Sequence, residues 1–450
     1  MDTLCRYLIE RWISENPPFT GNGWEPYCLS LRVVNWVKWL SCQEENRVDS
    51  EWLKSLALQT SALEQQIEYH ILGNHLFANA KALVFAGCFF GGSQGDAWLE
   101  KGLKLLCSQL DEQFLEDGGH YERSPMYHAI LLWDVCDLLR LFEQSQLGIL
   151  NNRSAQLRNI LKIGMVWLSK MVHPDGGIAF FNDATFGIAP TLEHLQRYCS
   201  NLRVIVGEEF NNEESWSETH LKSSGYIIVD HSKGHRALLN MAEIGPVYQP
   251  GHAHADTLSF ELSLFGQRLF VNSGTSQYGT GSEREYQRGT RAHNTVEVED
   301  ENSSETWAGF RVARRAKPFN VAVSTDDKAL RVVASHDGYY RLPGKVYTQR
   351  TWIFEDNAIK VVDLLSGNWS KAVSRFYCHP SIIATQVKEF EILLTLPFGQ
   401  KVRFTVEGAS ELRLVDSDWH PGFGVSSPNR CIEVVLFSPE LISRVDFQSF

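Results

Sequence analysis

The chain has 450 residues, 43% of them hydrophobic and 21% charged, with a formal net charge of −12 at pH 7. That length accommodates two or three domains with separate cores. The acidic balance excludes a broad nucleic-acid-binding surface, and no run reaches the roughly 18 apolar residues of a membrane span. The nine cysteines are scattered, with no C-x-x-C pair, which is the pattern of free thiols in a reducing compartment. Met1-Asp2-Thr3-Leu4-Cys5-Arg6 has no basic region leading into an apolar core. The sequence as it stands is therefore expected in the cytoplasm, or in the periplasm if its start belongs to a longer polypeptide.

The first two hundred residues read as helices. Leu53, Leu56, Thr60, Leu63 and Ile67 recur at three- and four-residue spacing within Ser50–Tyr69, one face of a helix. Similar patterns run through Tyr27–Leu40, Leu76–Phe90, Ala97–Leu110, Pro125–Phe142, Ala155–Met171 and Thr191–Cys199. Breaks such as Asp117-Gly118-Gly119 and Pro174-Asp175-Gly176-Gly177 separate them. Serial helices with short connections predict helical hairpins in an arc or toroid, over residues 1–206. Residues 207–222, rich in Glu, Asn and Ser, read as a linker. From 223 to 450 short alternating runs follow closely, among them Gly225–Asp230, Thr257–Leu264, Tyr347–Glu355, Ala358–Leu365 and Cys431–Phe437. They predict stacked antiparallel sheets.

Several clusters could carry chemistry. Gly73-Asn74-His75 sits between two helices. Its amide and imidazole could grip a carboxylate together, although Asn at such a place is more often an N-cap. In Glu122-Arg123-Ser124-Pro125-Met126-Tyr127-His128, Ser124 as N-cap and Pro125 at the first position start a helix. Tyr127 then lies in the first turn, where the helix dipole should ease loss of its proton. The alternative is that Tyr127 and His128 only pack beneath a neighbouring helix.

Gly251-His252-Ala253-His254-Ala255-Asp256 precedes an alternating strand and places two imidazoles at i and i+2, on one expected face. Histidine titrates near neutrality, so such a pair suits proton transfer or metal ligation. The bland alternative is two separately hydrogen-bonded side chains. His293, in Arg291-Ala292-His293-Asn294-Thr295, offers a third imidazole, and Asn272 an oxygen. With His254 these would make a divalent-metal site. Arg284, Arg288, Arg291, Arg311, Arg314, Arg315 and Lys317 fall within 34 residues. They form either an anion-binding face or a salt-bridged surface. Trp24, Trp36 and Trp39, near Tyr27, could stack on sugar rings, though aromatic residues of a helical array are more often core.

Taken together these segments resemble the heparinase II/III-like polysaccharide lyases, in particular the type associated with bacterial exopolysaccharide, capsule or O-antigen clusters. The resemblance rests on five ordered motifs: Gly23-Trp24-Glu25-Pro26-Tyr27, Gly73-Asn74-His75, Glu122 to His128, Gly251 to Asp256, and Arg291 to Thr295. It implies an α+β multidomain chain, an incomplete (α/α) toroid joined to a C-terminal antiparallel β-sandwich, with substrate in the cleft between them. It implies β-elimination on a uronate-containing polysaccharide, an anionic partner. Asn74 and His75 would neutralise the carboxylate, and Tyr127 and His252 would form the acid and base pair, with Tyr127 protonating the leaving oxygen. Trp24, Tyr27, Glu122, Arg123, Arg288 and Arg291 are expected to contact substrate. The resemblance also implies one structural zinc held by His254, the residue at 272 and His293. Asn272 stands where the family has Asp, which predicts a weak or absent metal. The alternatives are a glycoside hydrolase using Glu122 and Asp183 across the cleft, or a non-catalytic glycan-binding or assembly protein of polysaccharide biosynthesis.

Overall fold

The computed structural model describes residues 2–145, 148–207 and 215–447. The chain divides into two compact units, Met1–Phe114 with Trp133–Ile160, and Leu115–Leu132 with Leu161–Phe450. Helices come first and antiparallel strands follow, as the patterning predicts. The segment read as a linker ends in a strand, and its residues 208–214 lie outside the described ones.

The helices are α1 (Asp2–Glu15), α2 (Pro26–Leu40), α3 (Ser50–Gln65), α4 (Gly73–Phe90), α5 (Gly92–Gln113), α6 (Pro125–Gln144), α7 (Gly148–Lys170) and α8 (Leu192–Asn201). Local chemistry explains several starts. Pro26 opens α2, Asp49 caps α3 by accepting the Glu51 N–H at 2.8 Å, and Thr191 caps α8. Helix α1 buries no apolar stripe of the kind that marks the predicted helices: Ile9 is its one buried residue, while Leu4, Tyr7 and Leu8 face water. In the first unit α2 turns Leu29, Val33, Val37 and Leu40 inward, and α4 is buried on nearly every side. Helices α4 and α5 approach closely through glycine. A Cβ on Gly102 would stand 2.8 Å from the Val84 nitrogen, and one on Gly87 2.6 Å from the Leu99 nitrogen.

The second unit carries three main antiparallel sheets. The first runs in sequence order through β1 (Ser217–Leu221), β2 (Tyr226–His231), β3 (His235–Asn240), β4 (Phe260–Leu264) and β5 (Gln267–Phe270). Helix α9 (Ser282–Arg288) follows, then β6 (Val296–Val298) and the small β7 (Thr306–Trp307) and β8 (Arg311–Val312) pair. Next come β9 (Pro318–Thr325), β10 (Ala329–His336), β11 (Tyr347–Glu355), β12 (Ala358–Ser366), β13 (Ala372–Tyr377), β14 (Ile383–Lys388) and β15 (Glu391–Thr395). The chain closes with β16 (Lys401–Glu407), β17 (Ala409–Gly422), β18 (Val425–Leu436) and β19 (Glu440–Asp446). The eight-stranded sheet has the order β14-β15-β16-β19-β12-β11-β10-β9, and the four-stranded sheet β17-β18-β13-β6. Strand β11 alternates cleanly, burying Thr348, Arg350, Trp352 and Phe354. The buried Arg350 is paired with Asp363 at 2.6 and 2.9 Å and reaches Ser374 and the Asn294 carbonyl. One core cluster, including Trp352, Phe260, Phe376 and Phe404, extends through these strands.

Candidate active site

In the second unit Ser124 caps α6 as expected, its Oγ accepting the Tyr127 N–H at 3.2 Å while donating to the Asp183 carbonyl at 2.6 Å. Tyr127 is buried and stacked on the His252 ring, centroids 3.9 Å apart. Its hydroxyl lies 2.7 Å from that of Tyr278. His252 Nδ1 is bonded to the Glu122 carboxylate. Burial, reinforced by Tyr278 and Asp183, holds the Tyr127 hydroxyl protonated well above its ordinary range. This corrects the expectation of an eased proton, because loss of hydration outweighs a helix dipole acting over one turn. His252 moves the other way from an ordinary buried imidazole. Burial disfavours its charge, but the Glu122 carboxylate prevails and raises its pKa. Glu122 Oε1, also buried, has no hydrogen-bond partner among the described residues.

The His-Ala-His run is not a strand entrance. Residues 251–259 form turns and loop, and β4 is buried at every position, so the alternation read there is absent. The two rings accordingly have different partners. His254 Nε2 is 2.9 Å from Asp183 Oδ1, and its Nδ1 is 3.1 Å from His293 Nε2. Asp183 is fully buried, gripped by both terminal nitrogens of Arg284. Burial opposes its charge, but Arg284 and His254 hold it ionised far below the usual carboxylate range. Arg284 also lies over the Tyr278 ring at 5.1 Å. Asn182 joins this segment to the rest, its amide donating to the Arg123 carbonyl at 2.9 Å and its oxygen accepting the His254 N–H at 3.3 Å. Both Asn182 and Arg123 adopt left-handed backbone, φ 57° and 59°, a local strain that recurs at functional sites.

The zinc set implied by the resemblance is not completed here. His254 and His293 converge, and the His293 Nδ1 donates to the Gly289 carbonyl at 2.7 Å, which leaves Nε2 as the ligating nitrogen. Asn272 does not join them. Its amide donates to the Phe180 carbonyl at 3.1 Å and its oxygen accepts the Asn294 N–H at 3.2 Å. Among the described residues no group of three or more His, Cys, Asp and Glu side chains is arranged around a common point. Two imidazoles without a third ligand do not fit the closed tetrahedral donor set of structural zinc.

The basic cluster divides: Arg284 and Arg288 turn inward, Arg315 is half-buried, and Arg291, Arg311, Arg314 and Lys317 face water. Arg288, expected to contact substrate, is buried and donates to the Ala253, Trp307 and Arg311 carbonyls; burial lowers its pKa to about 10. It braces the loop that carries His252 and His254. Arg123 donates to the Glu243 carbonyl, Arg314 pairs with Glu305, and Arg315 donates to the Val247 carbonyl. Arg291 alone of the expected contacts in this cluster is exposed, its guanidinium 5.6 Å above the Tyr286 ring. Tyr278 and Arg284 are the site residues that motif reasoning did not single out as such. The turn-rich Ser276-Gln277-Tyr278-Gly279 loop was the available signal for the first.

The first unit has its own polar cluster. Asn74 is not a cap: α4 begins at Gly73 behind Leu72, and the Asn74 side chain bonds Tyr27 instead. Tyr27 stacks on His75 at 4.4 Å, and burial with Asp134 pushes its hydroxyl up to about 12. His75 keeps 30% of its side chain exposed, with Nδ1 bonded to Glu68 Oε1 at 2.9 Å. Glu68 is buried and fixed in turn by Asn79 at 2.9 Å. That bond fixes the ring through Nδ1 and leaves Nε2 without a hydrogen-bond partner among the described residues. Trp24 is different. It is buried against Trp12 and Phe19, centroids 5.5 and 5.3 Å away, so it packs the core and has no ring face open to a sugar.

Comparison with known proteins places this chain. Residues 7–201 match the model described as heparinase II/III N-terminus, and residues 214–444 that of heparinase II/III-like, C-terminal. The chain is 27% identical over 254 residues to a heparin-sulfate lyase of Bacteroides stercoris, covering 53% of this chain and 37% of that protein. It is 27% identical over 365 residues to FtsZ-localized protein C of Caulobacter vibrioides, covering 77% of this chain and 58% of the relative. It thus spans from about a third to just over half the length of these two relatives. The crystal structure of heparinase III superposes with a TM-score of 0.78 at 18% identity, over 99% of this chain and 74% of that one. With both halves matched in order, the chain belongs to the heparinase II/III family.

Proposed function

We propose that this protein is a polysaccharide lyase that cleaves an acidic, uronate-containing polysaccharide by β-elimination. One observation carries the reading: a tyrosine held protonated lies face to face with an imidazole whose far side is bonded to a buried carboxylate. With Nδ1 bonded to Glu122, His252 presents Nε2 as a base. It takes the C5 proton, and the imidazolium that forms is stabilised by Glu122. The C5–H electrons form the C4–C5 double bond, the C4–O bond breaks, and Tyr127 gives its proton to the departing oxygen. The Tyr278 hydroxyl, 2.7 Å away, can donate to the phenolate left behind. Asn74 and His75 are assigned to the uronate carboxylate, whose charge grows as C5 loses its proton.

The hydrolase alternative needs two facing carboxylates. Its candidates are buried and engaged elsewhere, Glu122 with His252 and Asp183 with Arg284 and His254. The non-catalytic reading is favoured by one finding, likeness to a relative named for its localisation rather than for cleavage. Incubation with uronate polysaccharides separates the three. The lyase gives ultraviolet absorbance from a C4–C5 double bond, a hydrolase gives new reducing ends without it, and a binding protein gives neither.

A further inference from the structure

A groove of about 530 Å³ lies on the outward face of the eight-stranded sheet, where β9 to β12 run side by side. The pairing sets its floor: Phe319 faces Ser335, Ser335 faces Gln349, Gln349 faces Leu364, and Tyr347 faces Ser366. Four strands span about 14 Å, the length of a few sugar rings. Three aromatic rings are open to water in or beside it, Phe319 37%, Tyr347 37% and Tyr340 44% exposed. Tyr340 lies over Tyr347, centroids 4.7 Å apart and planes at 31°, and Phe319 meets Tyr347 edge-on at 5.9 Å. Each ring keeps apolar surface in water that an occupant would cover, and none closes over the sheet as a core residue would.

The polar groups beside the rings are uncommitted. The Asn320, Gln349 and Ser366 side chains make no hydrogen bond within the described residues. Charge favours an acidic occupant. The Lys345 ammonium stands 4.9 Å over the Tyr340 ring, and neither Lys345 nor Lys317 has a carboxylate partner among the described residues. The one charged residue of the lining, Asp337, accepts the Lys317 backbone N–H at 2.8 Å and keeps its negative charge, which the two lysines flanking the lining outnumber. Exposed ring faces suit the C–H face of a sugar, free amides suit paired hydroxyls, and ammonium groups suit a uronate. A protein partner would need a patch near 800 Å² per side, and this strip is narrow and interrupted by amides.

We propose that this groove is a second saccharide-binding site, taking an acidic polysaccharide laid across β9 to β12 and sharing no residue with the Tyr127 site. The proposal does not depend on the lyase reading, since binding here requires no turnover. It is tested by electrophoresis of the full chain, in a Tyr127→Phe background, through native gels containing an unsulfated glucuronate–N-acetylglucosamine polymer. The polymer should retard the protein, and Phe319→Ala with Tyr347→Ala should weaken the apparent affinity at least tenfold. Gln349→Ala and Lys345→Gln should each weaken it severalfold, while Phe398→Ala, an exposed ring elsewhere, should leave it unchanged. Unaltered melting temperatures show that these surface variants fold. Unretarded Tyr127→Phe protein, or a double variant retarded as strongly as its parent, overturns the site. Equal retardation by a neutral glucan overturns its acidic specificity. Neither result bears on cleavage, which is read separately by absorbance.

Discussion

The two polar clusters are built on opposite principles. In the first unit, buried charges support a side chain left partly in water: Glu68, fixed by Asn79, orients a His75 that remains 30% exposed. In the second unit the reactive-type groups themselves are buried, and pairing rather than solvent sets their protonation. Tyr127 keeps its proton because it is dry, and His252 binds one more readily because Glu122 is dry beside it. An exposed imidazole suits capture of a charged group arriving from water. A buried acid and base suit proton transfer where water would compete.

The largest expected effect is on the buried pair. Tyr127→Phe should lower kcat by about 10²- to 10⁴-fold with little change in KM, measured as the initial rate of double-bond absorbance. A rate within a few-fold of the parent would remove Tyr127 from the mechanism. Asn74→Ala should cost about 10²- to 10³-fold and should act on kcat if the carboxylate is stabilised mainly in the transition state. A pure KM effect would make the first cluster a binding element only, and the contrast drawn above would sharpen.

Stability offers a second contrast. Lys81 in the first unit is buried between Asp134 and Asp137, both at 2.6 Å. Lys81→Met should therefore destabilise by about 3–5 kcal/mol, seen as a lower midpoint in urea unfolding. An unchanged midpoint would mean that the carboxylates relax by taking up protons. Acid should act on the second unit instead. Burial lowers His120 to about 4 and His128 and His336 to about 3, whereas the two histidines of the first unit, His70 and His75, are not buried. The sign follows from linkage. Below about 6.5 the unfolded chain takes up protons that the folded histidines refuse. Their contribution to stability is complete above that pH and is lost progressively as pH falls toward 4 and 3. Hydrogen exchange should show protection falling first in the second unit between pH 6.5 and 4. The smallest effect concerns zinc. Elemental analysis of purified protein should give well under one equivalent, and a stoichiometric value would mean that Asn272 or another group turns to complete the pair of histidines.

Local signals made much of this site legible. Ser124 and Pro125 marked the start of α6 and so placed Tyr127 in its first turn, because capping depends on neighbours in the chain. Asn74, His75, His252 and His254 were recognisable as motif residues for the same reason. Their partners were not. Glu122 meets His252 across 130 residues and Tyr278 meets Tyr127 across 151, separations at which spacing carries no information. Burial was equally hidden: a run of arginines looks alike whether it faces water or, as with Arg284 and Arg288, is buried against Asp183 and backbone carbonyls.

The sequence by itself therefore determined the order of helices and antiparallel strands, through periodicity, caps and turns, and it marked Tyr127 and His252, which the fold stacks face to face, as motif residues. Only the tertiary structure decided how those residues behave. It turned Trp24 and Arg288 from expected sugar contacts into core and brace, and it reversed the expected acidity of Tyr127. Hydration and charge pairing set a pKa, and both are properties of the space around a side chain, which the folded chain alone defines.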